Sequence, residues 1–172
     1  MKRRKQDGTV SNGNAASKAR AVVNRLPAGR RQDYRWFGDI TLRWNDIDVF
    51  GHVNNAQYYE FFDTTVVRFL HEIADAGIAA GGTAMVVAEN GCRFLREIVF
   101  TDRLTMGLRV ERLGTSSVRY GLAAFVNGED EAVADGHFVH VFLDPQSKRP
   151  APLVSMVREH LQTIFVSHQV PD

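Results

Sequence analysis

The stretch Asp46-Ile47-Asp48-Val49-Phe50-Gly51-His52-Val53-Asn54-Asn55-Ala56-Gln57-Tyr58-Tyr59 decides how this 172-residue chain is read. It sets two carboxylates, a glycine, a histidine and paired asparagines just ahead of a long amphipathic run. Asn54 is a strong helix N-cap residue, and Gln57 follows it at capping-box spacing. The helix is therefore expected to begin at Asn55. Its first backbone N–H groups lack helical partners and carry the positive end of the dipole. Such a terminus can donate to a developing oxyanion. Gly51 allows the turn that brings Asp48 round to face it. A carboxylate beside free amides offers acyl transfer a base or nucleophile and a group to polarise the carbonyl. The competing reading makes Asp46 and Asp48 ordinary turn residues, Asn54 only a cap and His52 a satisfied structural histidine.

Upstream, Ile40, Leu42 and Trp44 alternate with Thr41, Arg43 and Asn45, which predicts a first strand there. Downstream, Tyr59, Phe62, Val66, Phe69 and Ile73 recur at helical spacing, with Phe61, Val67 and Leu70 widening the apolar face. This helix is expected to be wrapped on several sides and to stop near Gly77. The period then changes to two. Leu104, Met106, Leu108 and Val110 form one alternating set, and Val118, Tyr120, Leu122, Ala124 and Val126 another. Gly114-Thr115 and Asn127-Gly128-Glu129-Asp130 read as turns, and Phe138 to Leu143 as a further strand. Residues 84–100 are apolar but less regular, with a bulge or bend expected at Glu89-Asn90-Gly91. A final helix at about 152–165 is expected to cover an edge. No proline falls between residues 28 and 144, as a large sheet requires. One strand, one buried helix and four more strands give an α+β fold: an antiparallel sheet curled around a single helix.

Composition bounds the rest. A 172-residue chain that is 44% hydrophobic and 24% charged is that of one globular domain. No apolar run approaches the ~20 residues needed to span a bilayer. A single cysteine, Cys92, excludes an internal disulfide and favours a reducing compartment, so a cytoplasmic location is expected. Cys92 itself reads as a small buried hydrophobe rather than a reactive thiol. Residues 1–31 hold nine basic residues against Asp7 alone, whereas the remainder holds twelve basic and nineteen acidic residues. Residues 1–32 accordingly read as a disordered, solvated basic tail and residues 33–172 as the folded domain. A nucleic-acid arm and an organelle transit peptide are the alternatives for the tail. It has neither a helical apolar face nor aromatic interleaving to support them, and nucleic acid is not an expected partner.

The stretch from Asp46 to Tyr59 resembles the Asp-x-Asp-x-x-Gly-His-Val-Asn-Asn-x-x-Tyr signature of the hotdog-fold acyl-CoA thioesterases, near the 4-hydroxybenzoyl-CoA thioesterase-like group. The likeness continues through Arg93-Phe94-Leu95-Arg96-Glu97, Asp102 to Val110, Gly114-Thr115-Ser116-Ser117 and Gly136 to Asp144. It spans about residues 37–165. The resemblance implies acyl-CoA thioester hydrolysis with no cofactor, the catalytic carboxylate on Asp48 and a carbonyl-polarising amide at Asn55. Asp48 would act as nucleophile or as general base. His52 matches the functional histidine of the plant acyl-carrier-protein thioesterases, whose neighbouring asparagine is replaced here by Phe50. His52 is therefore assigned to orienting the loop or shaping the acyl pocket. A further branch carries its carboxylate on the central helix, where Glu60 and Asp63 are the counterparts. The dehydratase branch's His-Phe-Pro motif is absent. Gly51, Val53, Asn54 and Tyr58 are expected to line the substrate. Arg93, Arg96 and Arg119 are candidates for the phosphates of coenzyme A, against the alternative of solvated strand arginines. The family's site usually lies at a dimer interface, which implies a homodimer and leaves a tetramer open.

His137 and His140, three apart on one predicted strand, should point to opposite faces and cannot pair on a metal. No metal site and no phosphate-cradling glycine loop are expected. The rivals to the hydrolase are a non-catalytic acyl-CoA-binding module with a regulatory role and a purely structural hotdog subunit.

Overall fold

A computed structural model describes residues 27–72 and 84–167. In chain order the elements are β1 (Trp36–Ile40), α1 (Asn55–His71), β2 (Ala84–Phe94), β3 (Leu104–Leu113), β4 (Ser117–Val126), β5 (Ala134–Leu143) and α2 (Ser155–Thr163). The strands form one antiparallel sheet ordered β1-β3-β4-β5-β2. One long helix lies against it, which is the expected α+β hotdog arrangement.

Period-two alternation divides the sheet into two faces. Leu108 and Val110 of β3, Tyr120 and Leu122 of β4, and Phe138 and Phe142 of β5 turn toward α1, where they meet Phe62, Val66 and Phe69 in one core. Phe62 stands edge-on to Phe138 at 6.0 Å between centroids. Each such aromatic buried contributes roughly 1.5–3 kcal/mol by area. The seat is close. A Cβ on Gly136 would lie 2.7 Å from the Phe62 ring and 2.1 Å from the Gly91 carbonyl oxygen, so glycine is what lets helix and neighbouring strand approach β5 together.

The first strand is displaced from its expected place. It runs over Trp36–Ile40, and pairing ends at Ile40 opposite Leu104, where β3 itself begins. Beyond that point the chain has no partner strand, and Trp44–Asp46 instead form a 3-10 turn with Trp44 74% exposed. The folded region also starts ahead of the expected boundary at residue 33. Gly29 N–H donates to Asp135, Arg30 bridges to Glu131, and the Arg31 guanidinium lies 5.1 Å from the Phe37 and Phe125 rings. This strap covers a second small cluster of Tyr34, Ala123, Phe125 and Ala132 on the sheet's outer face. Residues 1–26, which make up most of the basic tail, lie outside the described residues, as do Ile73 and the expected helix stop at Gly77.

The irregularity expected near Glu89 is a register shift between Val87 and Glu89 in the pairing of β2 with β5. A second shift falls between Val110 and Arg112 of β3. There the chain following α2 takes over the free edge: Val110 N–H donates to Ile164 and Val166 N–H to Val110. The last helix, shorter than expected, thus closes an edge as read from sequence. Neither described helix is long and apolar enough to cross a membrane.

Candidate functional site

The signature folds as a miniature hairpin docked at the start of α1. Ile47 and Val53 bridge antiparallel, Asp48 N–H donates to the His52 carbonyl at 3.0 Å, and Gly51 N–H donates to the Asp48 carbonyl at 3.1 Å. Gly51 has φ +87°, the left-handed region that the turn needs and that glycine adopts without strain. The loop is tied down on both sides. Val53 N–H donates to Ile98 at 2.8 Å and Asn54 N–H to the Asp46 carbonyl at 2.9 Å.

Asp46 is the anchor. Its side chain is buried, and it accepts from Arg43 N–H at 2.7 Å and from the Arg43 guanidinium at 3.2 Å, which also reaches Glu60 at 2.6 Å. Asn54 caps α1 as expected, its Oδ1 accepting from Ala56 N–H at 2.9 Å. The second half of the expected capping box does not form. Asn54 N–H already serves Asp46, and the Gln57 amide, oriented to donate, reaches Glu60 at 3.0 Å and Asp46 at 3.3 Å. The Asn55 N–H at the first helical position takes no partner among the described residues.

Asp48 has its two oxygens in different circumstances. Oδ1 accepts from Phe50 N–H at 2.8 Å, which fixes the rotamer, while Oδ2 lies 3.8 Å from His52 Nδ1. The carboxylate is partly shielded, its side chain 18% exposed. His52 lies between carboxylates, with Nε2 4.0 Å from Glu97, and its ring stacks on Phe50 at 6.1 Å. Glu97 went unassigned in the sequence because only the Val53–Ile98 hydrogen bond brings the two loops together. Val49 and Phe50 at the hairpin tip are 95% and 79% exposed.

The structure thus brings Asp48, Gly51, His52, Asn54 and Asn55 together on one turn. Val53 and Tyr58 belong to the core behind it. Tyr58 meets Phe94 edge-on at 5.0 Å, and burial pushes its phenol up to about 12, with Cys92 and Glu97 adding to the effect. The arginines are already matched by acids. Both Arg93 bonds to Asp135 are short, at 2.7 and 2.6 Å, and Arg96 pairs with Glu129. Arg119 bridges Glu111 and Glu89. A phosphate at any of them would have to displace a carboxylate. Arg103, whose side chain takes no partner among the described residues, instead lines an open cleft of about 540 Å³ with Phe100, Asp102 and Asn127. That cleft is next to the site, since Trp44 stands edge-on to Phe100 at 5.7 Å.

His137 and His140 do point to opposite faces. His137 meets Glu89 at 2.8 Å on the outer face, and His140 lies buried beneath α1. Among the described residues no group of three or more His, Cys, Asp or Glu could hold a metal ion.

Comparison with known proteins gives a consistent picture. A family model described as the thioesterase-like superfamily matches residues 42–161. The long-chain acyl-CoA thioesterase FadM of Escherichia coli K12 is 29% identical over 72% of this chain and 94% of its own. The crystal structure of the PA5185 protein of Pseudomonas aeruginosa PAO1 is 43% identical, covers 83% of this chain and 100% of that one, and superposes with a TM-score of 0.79. A thioesterase of Thermus thermophilus, solved with coenzyme A and Zn, is 31% identical over 77% of this chain and 96% of its own, with a TM-score of 0.66.

Proposed function

The chain belongs to the thioesterase-like superfamily, and from that premise we propose that it hydrolyses acyl-CoA thioesters with Asp48 as the reacting carboxylate. Membership and fold support thioester hydrolysis in general. The observation that carries the finer reading is the asymmetry of Asp48. One oxygen is pinned by Phe50 N–H, and the other faces His52 on the turn that leads into the unpartnered start of α1. A positioned carboxylate abstracts a proton from water or attacks the carbonyl directly, and the Asn55 N–H receives the charge that develops on oxygen. His52 stands 3.8 Å from the second Asp48 oxygen and, stacked on the Phe50 ring, helps to shield the turn.

The same reading includes a homodimer. Among the described residues strand β2 pairs only with β5, and Val86 and Val87 on it are 47% and 43% exposed. A second copy is the partner that would fill an unpaired, apolar edge. Mass measurement in solution tests this, and a strictly monomeric protein would remove it; the same data separate dimer from tetramer. A cytoplasmic location fits the lone Cys92.

The deciding experiment is thiol release from a panel of short, medium, long and aromatic acyl-CoAs. Turnover by the wild type that is lost in Asp48→Asn supports the assignment. Wild-type turnover in the variant removes Asp48 from its role. No turnover on any ester, with acyl-CoA still raising Tm, would favour a binding module.

A further inference from the structure

Two polar side chains of the core lack partners. Tyr120 on β4 is 0% exposed and His140 on β5 is 1% exposed, yet the tyrosine hydroxyl and both imidazole nitrogens find no hydrogen-bond partner among the described residues. Their rings stand edge-on at 5.4 Å, and Phe138 closes one side of His140 at 6.0 Å. Leaving a buried polar atom unmet costs about 1–3 kcal/mol, so three together are an expense that folding alone does not explain.

His140 is opposite Val87 of β2, and Phe138 is opposite Asn90. The flanking residues of β2 on this helix-facing side, Met85 and Cys92, pack on the core. Between them Val87 and Asn90 are exposed, and the register shift falls at that point. Bulges of this kind re-aim side chains and open a strand locally. The position along α1 is also defined. Phe138 stands 6.0 Å from both His140 and Phe62, and Phe62 lies seven residues past Asn55, or about 10 Å down the helix at 1.5 Å per residue.

The geometry points to Tyr120 and His140 as the polar floor of an acyl subsite, one that receives a hydroxyl group near the far end of a medium-length acyl chain. The chemistry follows from what is unmet. A tyrosine hydroxyl and a neutral imidazole each offer a donor and an acceptor, so the complement is a group that both donates and accepts. Burial lowers the His140 pKa, with Asp63 opposing more weakly, and the ring is neutral at physiological pH. A carboxylate would meet no compensating charge there, and an unsubstituted chain would leave all three atoms unmet. This inference rests on the thioesterase reading.

The test compares octanoyl-CoA with omega-hydroxyoctanoyl-CoA for the wild type, Tyr120→Phe and His140→Phe. Tyr120→Phe removes an unmet polar atom and keeps the ring, so it is expected to fold with Tm equal to or above the wild type; His140→Phe removes two such atoms but adds ring volume, and its Tm is read alongside. The wild type is expected to favour the hydroxy ester by about tenfold or more in kcat/KM. Each variant should cut that preference at least about fivefold. A wild type indifferent to the hydroxyl, or a preference that both variants keep, overturns the subsite. So does a change in oligomeric mass with the preference untouched, which would mean that a second copy meets these atoms. If neither ester is hydrolysed, the wider acyl-CoA panel decides the thioesterase reading separately. The subsite is then judged by whether the hydroxy ester raises Tm more than octanoyl-CoA in the wild type and equally in the variants, and an equal rise in the wild type overturns it.

Discussion

Asp46 and His140 are equally buried, at 1% exposure each, and opposite in every other respect. Asp46 sits at the hairpin with its oxygens met by the Arg43 backbone and guanidinium, and its carbonyl by Asn54. His140 sits under the middle of α1 with both nitrogens unmet. The first is what a structural polar residue looks like: burial is offset by partners, and the reward is a fixed loop. The second has the cost without the partners, which is the condition of a group awaiting a ligand. The contrast separates residues that build the site from residues that would read a substrate.

The sharpest way to break this contrast is at the turn that Asp46 supports. Asp48→Asn keeps the bond from Phe50 N–H but removes the charge, and is expected to lower kcat by about a hundredfold or more with Tm nearly unchanged. A comparable fall in Tm would make Asp48 structural like its neighbour. Next in size, Asp46→Ala strips the anchor and should cost about 2–3 kcal/mol in denaturant unfolding, with activity falling as the hairpin loosens. An unfolding midpoint within error of the wild type would show that the hairpin needs no buried carboxylate beside Arg43.

A smaller effect comes from pH. Because burial depresses the His140 pKa below the ordinary value near 6.5, the unfolded chain binds this proton first. Stability is therefore lost as pH falls below about 6.5, down to the folded-state pKa, and below that value the loss levels off. Melting curves from about pH 7 to about pH 5 should show a steeper decline in the wild type than in His140→Phe; parallel curves would place the titration elsewhere. Smallest is Cys92, half-buried at the core's edge, whose thiol is pushed up to about 12 by burial and then by Asp135. Alkylation at about pH 8 should be slow when folded and fast in denaturant. Rapid labelling of the native protein would show a β2 edge more open than its pairing implies.

Much of this molecule is legible in its residues. The N-cap at Asn54, the helix beginning at Asn55 and strands over 104–111, 118–126 and 138–143 follow from caps and periods that act over a few residues, although β5 begins earlier, at Ala134. The misread strand at 40–44 shows the limit. Its alternation is real, but β3 begins at Leu104 and offers nothing to pair with past Ile40, while the Asp46 carboxylate draws Arg43 N–H into a turn. The arginines illustrate the same point. From sequence Arg93 and Arg96 are phosphate candidates, and only the fold brings Asp135 and Glu129 beside them from 42 and 33 positions further along the chain.

The sequence by itself therefore determined the helix start, the carboxylate-bearing turn and the sheet's alternation, because each depends on local hydrogen bonds and on which face a side chain takes. Only the tertiary structure decided where β1 ends, which charges are already paired, that Glu97 flanks His52, and that Tyr120 and His140 share a place with no partner. Those outcomes depend on residues distant in sequence meeting in space, and on the cost of a polar group that meets nothing, which becomes visible only once the core has closed around it.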